Sequence, residues 1–276
     1  MSSKNPTNLI IETLKAQAEI FGDELYFSMA FDNLIPNNDF KIQSFVTGSS
    51  EEIVPENNLN ISKYSFMKNS DISENNVLPQ KTEEIKTEFG NAATVEELYK
   101  KIHNCKKCAL GETRNKFVFG TGNPNADIML IGEAPGAEED KIGEPFVGRA
   151  GQLLTKILEA INIKRDDVFI ANILKCRPPN NRTPNPEEIN SCIPYLKKQI
   201  DLIKPKVILC LGLTAANGLL NLKSSMIKMR GNVYEFHGVK LMVTYHPAAL
   251  LRNPNWKKET WEDVQKFYQL YKDLLN

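Results

Sequence analysis

The chain has 276 residues, 34 Lys+Arg against 34 Asp+Glu, 41% hydrophobic residues, 15 Gly, 15 Pro and 5 Cys. These fractions exclude collagenous, disulfide-scaffold and wholly disordered chains, and the lack of a long apolar run or a leader pattern predicts a soluble, cytoplasmic protein. The neutral total hides an asymmetry: residues 1–91 hold 7 Lys, no Arg and 14 Asp+Glu, a net of −7, so residues 92–276 hold 27 basic and 20 acidic residues, a net of +7. A basic second part raises the expectation of a polyanionic partner.

In the acidic part, Ile10, Leu14, Ala18 and Phe21 recur at helical spacing and predict one amphipathic helix over residues 8–21. Residues 30–90 are rich in Asn, Ser, Glu and Lys with single scattered hydrophobes, a composition unable to offset about 1–2 kcal/mol of backbone entropy per ordered residue, and read as a linker. Residues 1–91 are therefore expected to be an extension with one helix, and residues 92–276 the folded domain. From Ala92 onward helical and strand patterns alternate. Thr94 with Glu97 has capping-box spacing and opens a helix expected to run into Cys105. ADIMLIGEAP reads as a buried strand, GRAGQLLTKILEAINI as a helix, DVFIANILKC as a strand, PNPEEINSCIPYLKKQIDLIKP as a helix and KVILCLG as a second buried strand. LTAANGLLNL is helical, NVYEFHGVKLMVTYHP supplies strands, and ETWEDVQKFYQLYKDLLN is a last helix. This order predicts an α/β fold in three layers, a parallel sheet between helices, with its site at the carboxyl ends of the strands.

Three strand ends carry text that a packed core does not need: GEAPGAEEDKIGEPFVGRAG, CRPPNNRTP and YHPAALLRNP. The cysteines add an independent constraint. Cys105 and Cys108 form a C-x-x-C pair, Cys176 follows after 67 residues and Cys192 after 15 more. Four thiols in a cytoplasmic chain point to a metal centre rather than disulfides. Zinc commonly takes two close pairs, whereas two separated single cysteines are tolerated in iron–sulfur ligation, which favours a [4Fe-4S] cluster over zinc. Cys210, inside VILCLG, reads as a packed core thiol.

Together GEAPG with the following EED, PFVGRAG, N-x-x-K-C-R-P-P-x-N-R, HPAALLRNP and the cysteine spacing resemble a family 4 uracil-DNA glycosylase, over about residues 92–276. The resemblance implies an enzyme that flips uracil out of single- or double-stranded DNA and hydrolyses its N-glycosidic bond, acting as a monomer with no membrane attachment. It implies that Phe146 stacks on the base and that Asn172 pairs with the uracil edge. His246 would donate to uracil O2 as the leaving group becomes anionic, and Glu133 with Asn181 would position the attacking water. In better-known uracil glycosylases an Asp stands where this chain has Ala134, so Ala134 is left with only a backbone amide to offer. Glu139 would line the pocket, crowding the thymine methyl. Leu250, Leu251 and Arg252 fall in the segment resembling an intercalation loop. Lys175, Arg177 and Arg182 would bear on the DNA backbone, whereas His103 and His237 have no motif around them. The implied cluster, held by Cys105, Cys108, Cys176 and Cys192, has a structural task.

Three rival readings fit the same residues less well. A relative trapped covalently through a histidine needs a basic insert that is missing between Cys176 and Cys192. A redox-sensing DNA-binding module has no use for Glu133, Asn172, Asn181 and His246 together, and a zinc-stapled nucleotide hydrolase lacks its carboxylate cluster.

Overall fold

The computed structural model describes Ile20 and residues 89–275. The expected helix at 8–21 and linker at 30–90 lie outside those residues, except that Ile20 is helical and buried in a core cluster and that Phe89 and Gly90 are described. Among the described residues, Phe89 and Gly90, ahead of Ala92, already make contacts with the helix Pro186–Ile203. Its ring meets Tyr195 edge-on at 4.8 Å, and Lys198 Nζ donates to the Gly90 carbonyl at 2.9 Å.

Helix α1 (Val95–Ile102) begins as its text predicts: Thr94 Oγ1 accepts from the Glu97 amide at 3.1 Å. It stops at Ile102 instead of reaching Cys105, because His103 caps it and the chain turns back. A short helix α2 (Leu110–Thr113) follows, then strands β1 (Thr121–Gly122) and β2 (Ile128–Gly132) and helices α3 (Ala137–Ile142) and α4 (Arg149–Ala160). Next come β3 (Phe169–Asn172), α5 (Pro186–Ile203), β4 (Val207–Leu211), α6 (Leu213–Leu220), α7 (Met226–Met229), β5 (Tyr234–Phe236) and β6 (Val239–Thr244). Helices α8 (Pro247–Arg252) and α9 (Lys257–Asp273) end the described chain.

The sheet order is β1-β3-β2-β4-β6-β5. Its four inner strands are parallel as expected, but both edge strands pair antiparallel, so the sheet is mixed. The reason is local at one edge: β5 joins β6 through His237 and Gly238, both at positive φ, and a turn that short can only reverse the chain. The predicted strand through Cys176 also ends early, at Asn172, after which the Ile173 and Leu174 amides donate to the carbonyls of Gly132 and Glu133.

Alternate residues of the inner strands feed two separate cores, as the pleat requires. Met129, Ile131, Phe169, Ala171, Ile208 and Cys210 face the core containing Leu196 of α5 and Ala215 of α6. Ile128, Leu130, Ile170, Leu209 and Met242 face the opposite core, with Leu154 of α4 and Phe267 of α9. Cys210 is fully buried in the first core, the packed thiol that its text predicts. Helices therefore cover both faces and leave the strand ends as the open side.

Candidate active site

The carboxyl ends of β2, β3, β4 and β6 bring together four segments far apart in sequence. Asn172, the last residue of β3, sits opposite Gly132, the last residue of β2, and is 2% exposed. Its Oδ1 has no hydrogen-bond partner. Since buried polar atoms are almost always paired, this acceptor is held ready for a donor from outside the chain. Gly132 makes the arrangement possible: a Cβ there would collide with Asn172 Oδ1 and come within 2.7 Å of Phe146 Cζ.

Phe146 lies in the loop before α4, buried, at φ 54, a conformation few side-chain-bearing residues adopt. Surrounding groups hold it there. Glu139 Oε1 accepts from the Val147 and Gly148 amides, each at 3.0 Å, and Arg165 donates to the Pro145 carbonyl at 2.9 Å. A Cβ at Gly151 would strike the Phe146 carbonyl, so α4 can pass this close only because it carries glycine there. Glu139, expected to line the pocket, is thus placed as a fastener of the aromatic loop.

The Phe146 ring faces that of His246, with centroids 5.4 Å apart at 29°. His246 caps α8, and its Nδ1 accepts from the Ala248 amide at 3.1 Å. An accepting Nδ1 requires the proton on Nε2, so the neutral ring presents an N–H donor. Burial, with the nearby Arg252 charge, lowers its pKa to about 4, which keeps that neutral form at ordinary pH. Glu133 and Ala134, both half-buried, follow Gly132 at the end of β2. Asn181 stands outside the buried part, exposed on the turn Pro179–Asn181, where its Oδ1 accepts from Arg177 Nε at 2.8 Å.

Past His246, Leu250 is fully buried, while Leu251 is 40% exposed and Arg252 is exposed. The expected loop is the short helix α8, and Leu250 anchors it. Lys175 corrects the sequence reading outright: it does not face solvent but is fully buried, its Nζ donating to the Asn172 carbonyl at 2.8 Å and to Gln199 Oε1 at 2.6 Å. Arg182 is engaged as well, its guanidinium donating to both Glu188 oxygens at 2.7 and 2.9 Å at the start of α5. His103 bonds back to carbonyls of its own helix and His237 occupies the exposed β5–β6 turn, so neither enters the site.

On the first-core side, Cys105, Cys108, Cys176 and Cys192 line one small void together with Tyr195 and Phe117. Four donors aim at these sulfurs: Arg114 at Cys176 Sγ (3.1 Å), Tyr195 Oη at Cys105 Sγ (3.1 Å), the Lys107 amide at Cys105 Sγ (3.5 Å) and the Lys175 amide at Cys192 Sγ (3.3 Å). Burial pushes the Cys192 thiol up to about 12 and raises Cys176, whose shift the Arg114 guanidinium opposes. Donors directed at sulfur are of most use to thiolates, the form that binds metal. Among the described residues no three His, Cys, Asp or Glu side chains close on a point as a single ion needs.

Arg114 and Asn115 also join these thiols to the pocket around Phe146. Arg114 donates to the carbonyls of Cys105 and His103, and the Asn115 amide donates to Asp140 Oδ1 at 2.9 Å, Asp140 being buried on the α3 helix that carries Glu139. Sequence reading missed Arg114, Asp140, Arg165 and Tyr195. Each has a partner at least 20 positions away, and no local pattern marks such pairs. A groove of about 900 Å³ opens elsewhere, along α1 and β1 beside Tyr99 and Phe119, and none of Phe146, Asn172 or His246 lines it.

Comparison with known proteins gives the same direction. Residues 119–265 match the model of the uracil DNA glycosylase superfamily. The chain is 44% identical over 185 residues to the Type-4 uracil-DNA glycosylase of Archaeoglobus fulgidus, covering 64% of this chain and 93% of that protein. It is 46% identical over 182 residues to that of Pyrobaculum aerophilum (63% and 93%) and 48% identical over 174 residues to that of Saccharolobus solfataricus (60% and 81%). Among the described residues no helix is long and apolar enough to cross a membrane.

Proposed function

Because the chain belongs to the uracil DNA glycosylase superfamily, we infer that Phe146, Asn172 and His246 form the pocket with which it removes uracil from DNA. It is a DNA-repair hydrolase: a water oxygen bonds to C1′ of the deoxyribose and gives up a proton to solvent, the C1′–N1 bond breaks with its electron pair leaving on uracil, which takes a proton from solvent on release, and an abasic site remains. The orphaned, buried Oδ1 of Asn172 carries the assignment of the pocket. Uracil presents an N3–H donor beside the O4 acceptor, which an amide matches with its oxygen and its NH₂. Cytosine reverses that pattern and would leave the amide facing like groups.

The bond breaks dissociatively, with positive charge on the sugar and negative charge on the base, so stabilising groups must be in place beforehand. His246 donates from Nε2 to uracil O2 while remaining neutral. A well-placed donor to a developing anion contributes about 2.7–4 kcal/mol. Phe146 supplies a stacking surface for the extruded base. Glu133, half-buried beside the pocket floor, accepts a hydrogen bond from the attacking water. Asn181, on the exposed turn, completes that water site when DNA covers it, and the Ala134 amide faces the base. Glu139 acts through the loop it fastens. Leu251, apolar and projecting, fills the gap left by the flipped nucleotide, and Arg252 beside it meets phosphate.

The four cysteines fit a [4Fe-4S] cluster: they line one void, four donors point at their sulfurs, and the two widely separated single cysteines suit iron–sulfur ligation better than zinc. Such a group would cross-link the Cys105–Cys108 segment to β3's exit and α5, and glycosidic hydrolysis asks no electron of it. The remaining assignments are a cytoplasmic monomer acting on uracil-containing DNA, with residues 1–91 as an extension to a catalytic domain at 92–276. The testing experiment measures strand nicking after alkali on oligonucleotides bearing one uracil, hypoxanthine or thymine opposite guanine. Release from uracil and not from thymine is expected, and indifference to the base would end the pocket assignment.

A further inference from the structure

The segment between His246 and the last helix is closed at its neck by two stacked rings, and we propose that this clasp of Tyr245 on Trp256 is a positioning device that stiffens the wedge for extracting uracil from duplex DNA. The proposal rests on the wedge role assigned above to Leu251. Tyr245 immediately precedes His246, and Trp256 ends the 3₁₀ turn Pro254–Trp256 that follows α8. Their ring centroids lie 4.8 Å apart with planes only 8° from parallel. The wedge residues lie on the excursion between these two points. Its inner side is anchored by the fully buried Leu250, while Leu251 projects.

The clasp is itself braced. Arg230 lies over the Tyr245 ring, its guanidinium carbon 5.6 Å from the centroid, and its Nε donates to Asp263 Oδ2 at 3.1 Å. Thr244, which leads into Tyr245, donates its hydroxyl to the same oxygen at 2.9 Å. Asp263 belongs to α9, the helix that follows Trp256, and is 1% exposed. In the first turn of α9, Thr260 Oγ1 donates to the Trp256 carbonyl at 2.9 Å. The Tyr245 end is therefore tied to a buried carboxylate of α9, and the Trp256 end to the first turn of the same helix.

A wedge displaces a stacked base only if its own base does not yield. In a duplex the target must be unpaired and unstacked, whereas in a single strand much of that cost is already met. Stiffness at the neck thus predicts a substrate-dependent defect when the stack is broken, a signature that general destabilisation does not produce.

The experiment compares single-turnover uracil release from a single-stranded oligonucleotide and from the same strand paired with guanine opposite uracil. For Trp256→Leu, we expect a duplex rate about tenfold lower, the scale of one lost aromatic pair, and a single-strand rate within about twofold of wild type. Trp256→Phe, which keeps a ring to stack, should recover most of the duplex rate. 2-Aminopurine beside the uracil should report a smaller flipped population with Trp256→Leu. Tyr245→Leu breaks the stack from the other side and serves if Trp256→Leu does not fold. Equal losses on both substrates, or no loss, would overturn the clasp. Leu251→Ala separates the two readings: if it lowers the duplex-to-single-strand ratio while the stack variants do not, the wedge stands and the clasp falls. If neither kind of variant moves the ratio, both fall.

Discussion

On one side of the sheet, Phe146, Leu250 and α8 are positioned by protein atoms alone, through two carboxylate-bound amides, two close-approach glycines and a capped helix. On the other side, four thiols surround a void and face donors, but burial holds Cys176 and Cys192 toward the protonated form. The first region has its geometry without any ligand. In the second, the donors and the burial work against each other until something binds the sulfurs. Chemistry and cohesion are thus assigned to opposite faces, joined by Lys175 on the Asn172 carbonyl and by the Asn115–Asp140 bond.

That division can be broken most forcefully at the thiols. Cys192→Ser should abolish metal binding, which we expect at about four iron and four sulfide per chain, and with it the soluble folded protein. Cys210→Ala, on the same face but in a dry core, should leave the metal content unchanged at a cost of about 1 kcal/mol. Iron and sulfide analysis of the anaerobically purified protein decides, and stoichiometric zinc without iron would remove the cluster from the account.

The pocket side gives the next largest effect, this time without loss of metal. Asn172→Asp should lower uracil excision by about 10⁴-fold, since a carboxylate cannot donate to O4, while the iron content stays constant. An iron loss accompanying the rate loss would show that Lys175 couples the two faces too tightly for them to be separated.

His246→Ala should cost about 10²–10³-fold in single-turnover rate while barely weakening DNA binding, because its hydrogen bond strengthens only as uracil becomes anionic. Since the folded ring has its pKa lowered to about 4, it stays neutral, and the wild-type rate should show no titration of this group between pH 8 and about 5. The sign for stability follows from the same shift. The unfolded ring, with its ordinary value of 6.5, takes up more protons, so this contribution is present above pH 6.5 and is lost as pH falls toward 4. A rate limb centred near 6.5 that disappears in His246→Ala would mean that the ring is solvated.

The smallest effect belongs to the acidic extension. A chain starting at Glu88, which keeps Phe89 against Tyr195, should match the full chain in single-turnover rate and bind nonspecific DNA more tightly at low salt, a difference that added salt removes. Both truncated chains lose Ile20 from the second core, and starting at Asn91 also removes Phe89 from beside a residue that bonds Cys105, so thermal stability should fall in both and further in the second. Loss of catalysis from the Glu88 chain would make the extension an integral part of the enzyme.

What the sequence disclosed followed physical range. The buried strands were legible because aliphatic runs such as MLI and VILCL have one reading, and the Thr94–Glu97 start because its bonds span three residues. Phe146, Asn172 and His246 were named through motif text, yet nothing local announced the positive φ of Phe146 or the empty acceptor on Asn172. Lys175 was misread because residue type alone does not tell whether a cation beyond a strand end turns outward or inward, and here Gln199 and a carbonyl make inward tenable. The edge strands escaped because two and three residues are too few to show a period.

Those same edges bear on how copies of the chain behave when crowded. A long, open strand at a sheet's margin is a template on which a neighbour can add its own backbone, the first step toward aggregation. Here the margins are the two residues Thr121 and Gly122 and the three residues Tyr234–Phe236, and on the latter side Glu235 pairs with Lys240 at 2.7 Å across an exposed surface. Among the described residues, the parallel core with its aliphatic strands thus ends on both sides in too little unpaired backbone for another sheet to extend.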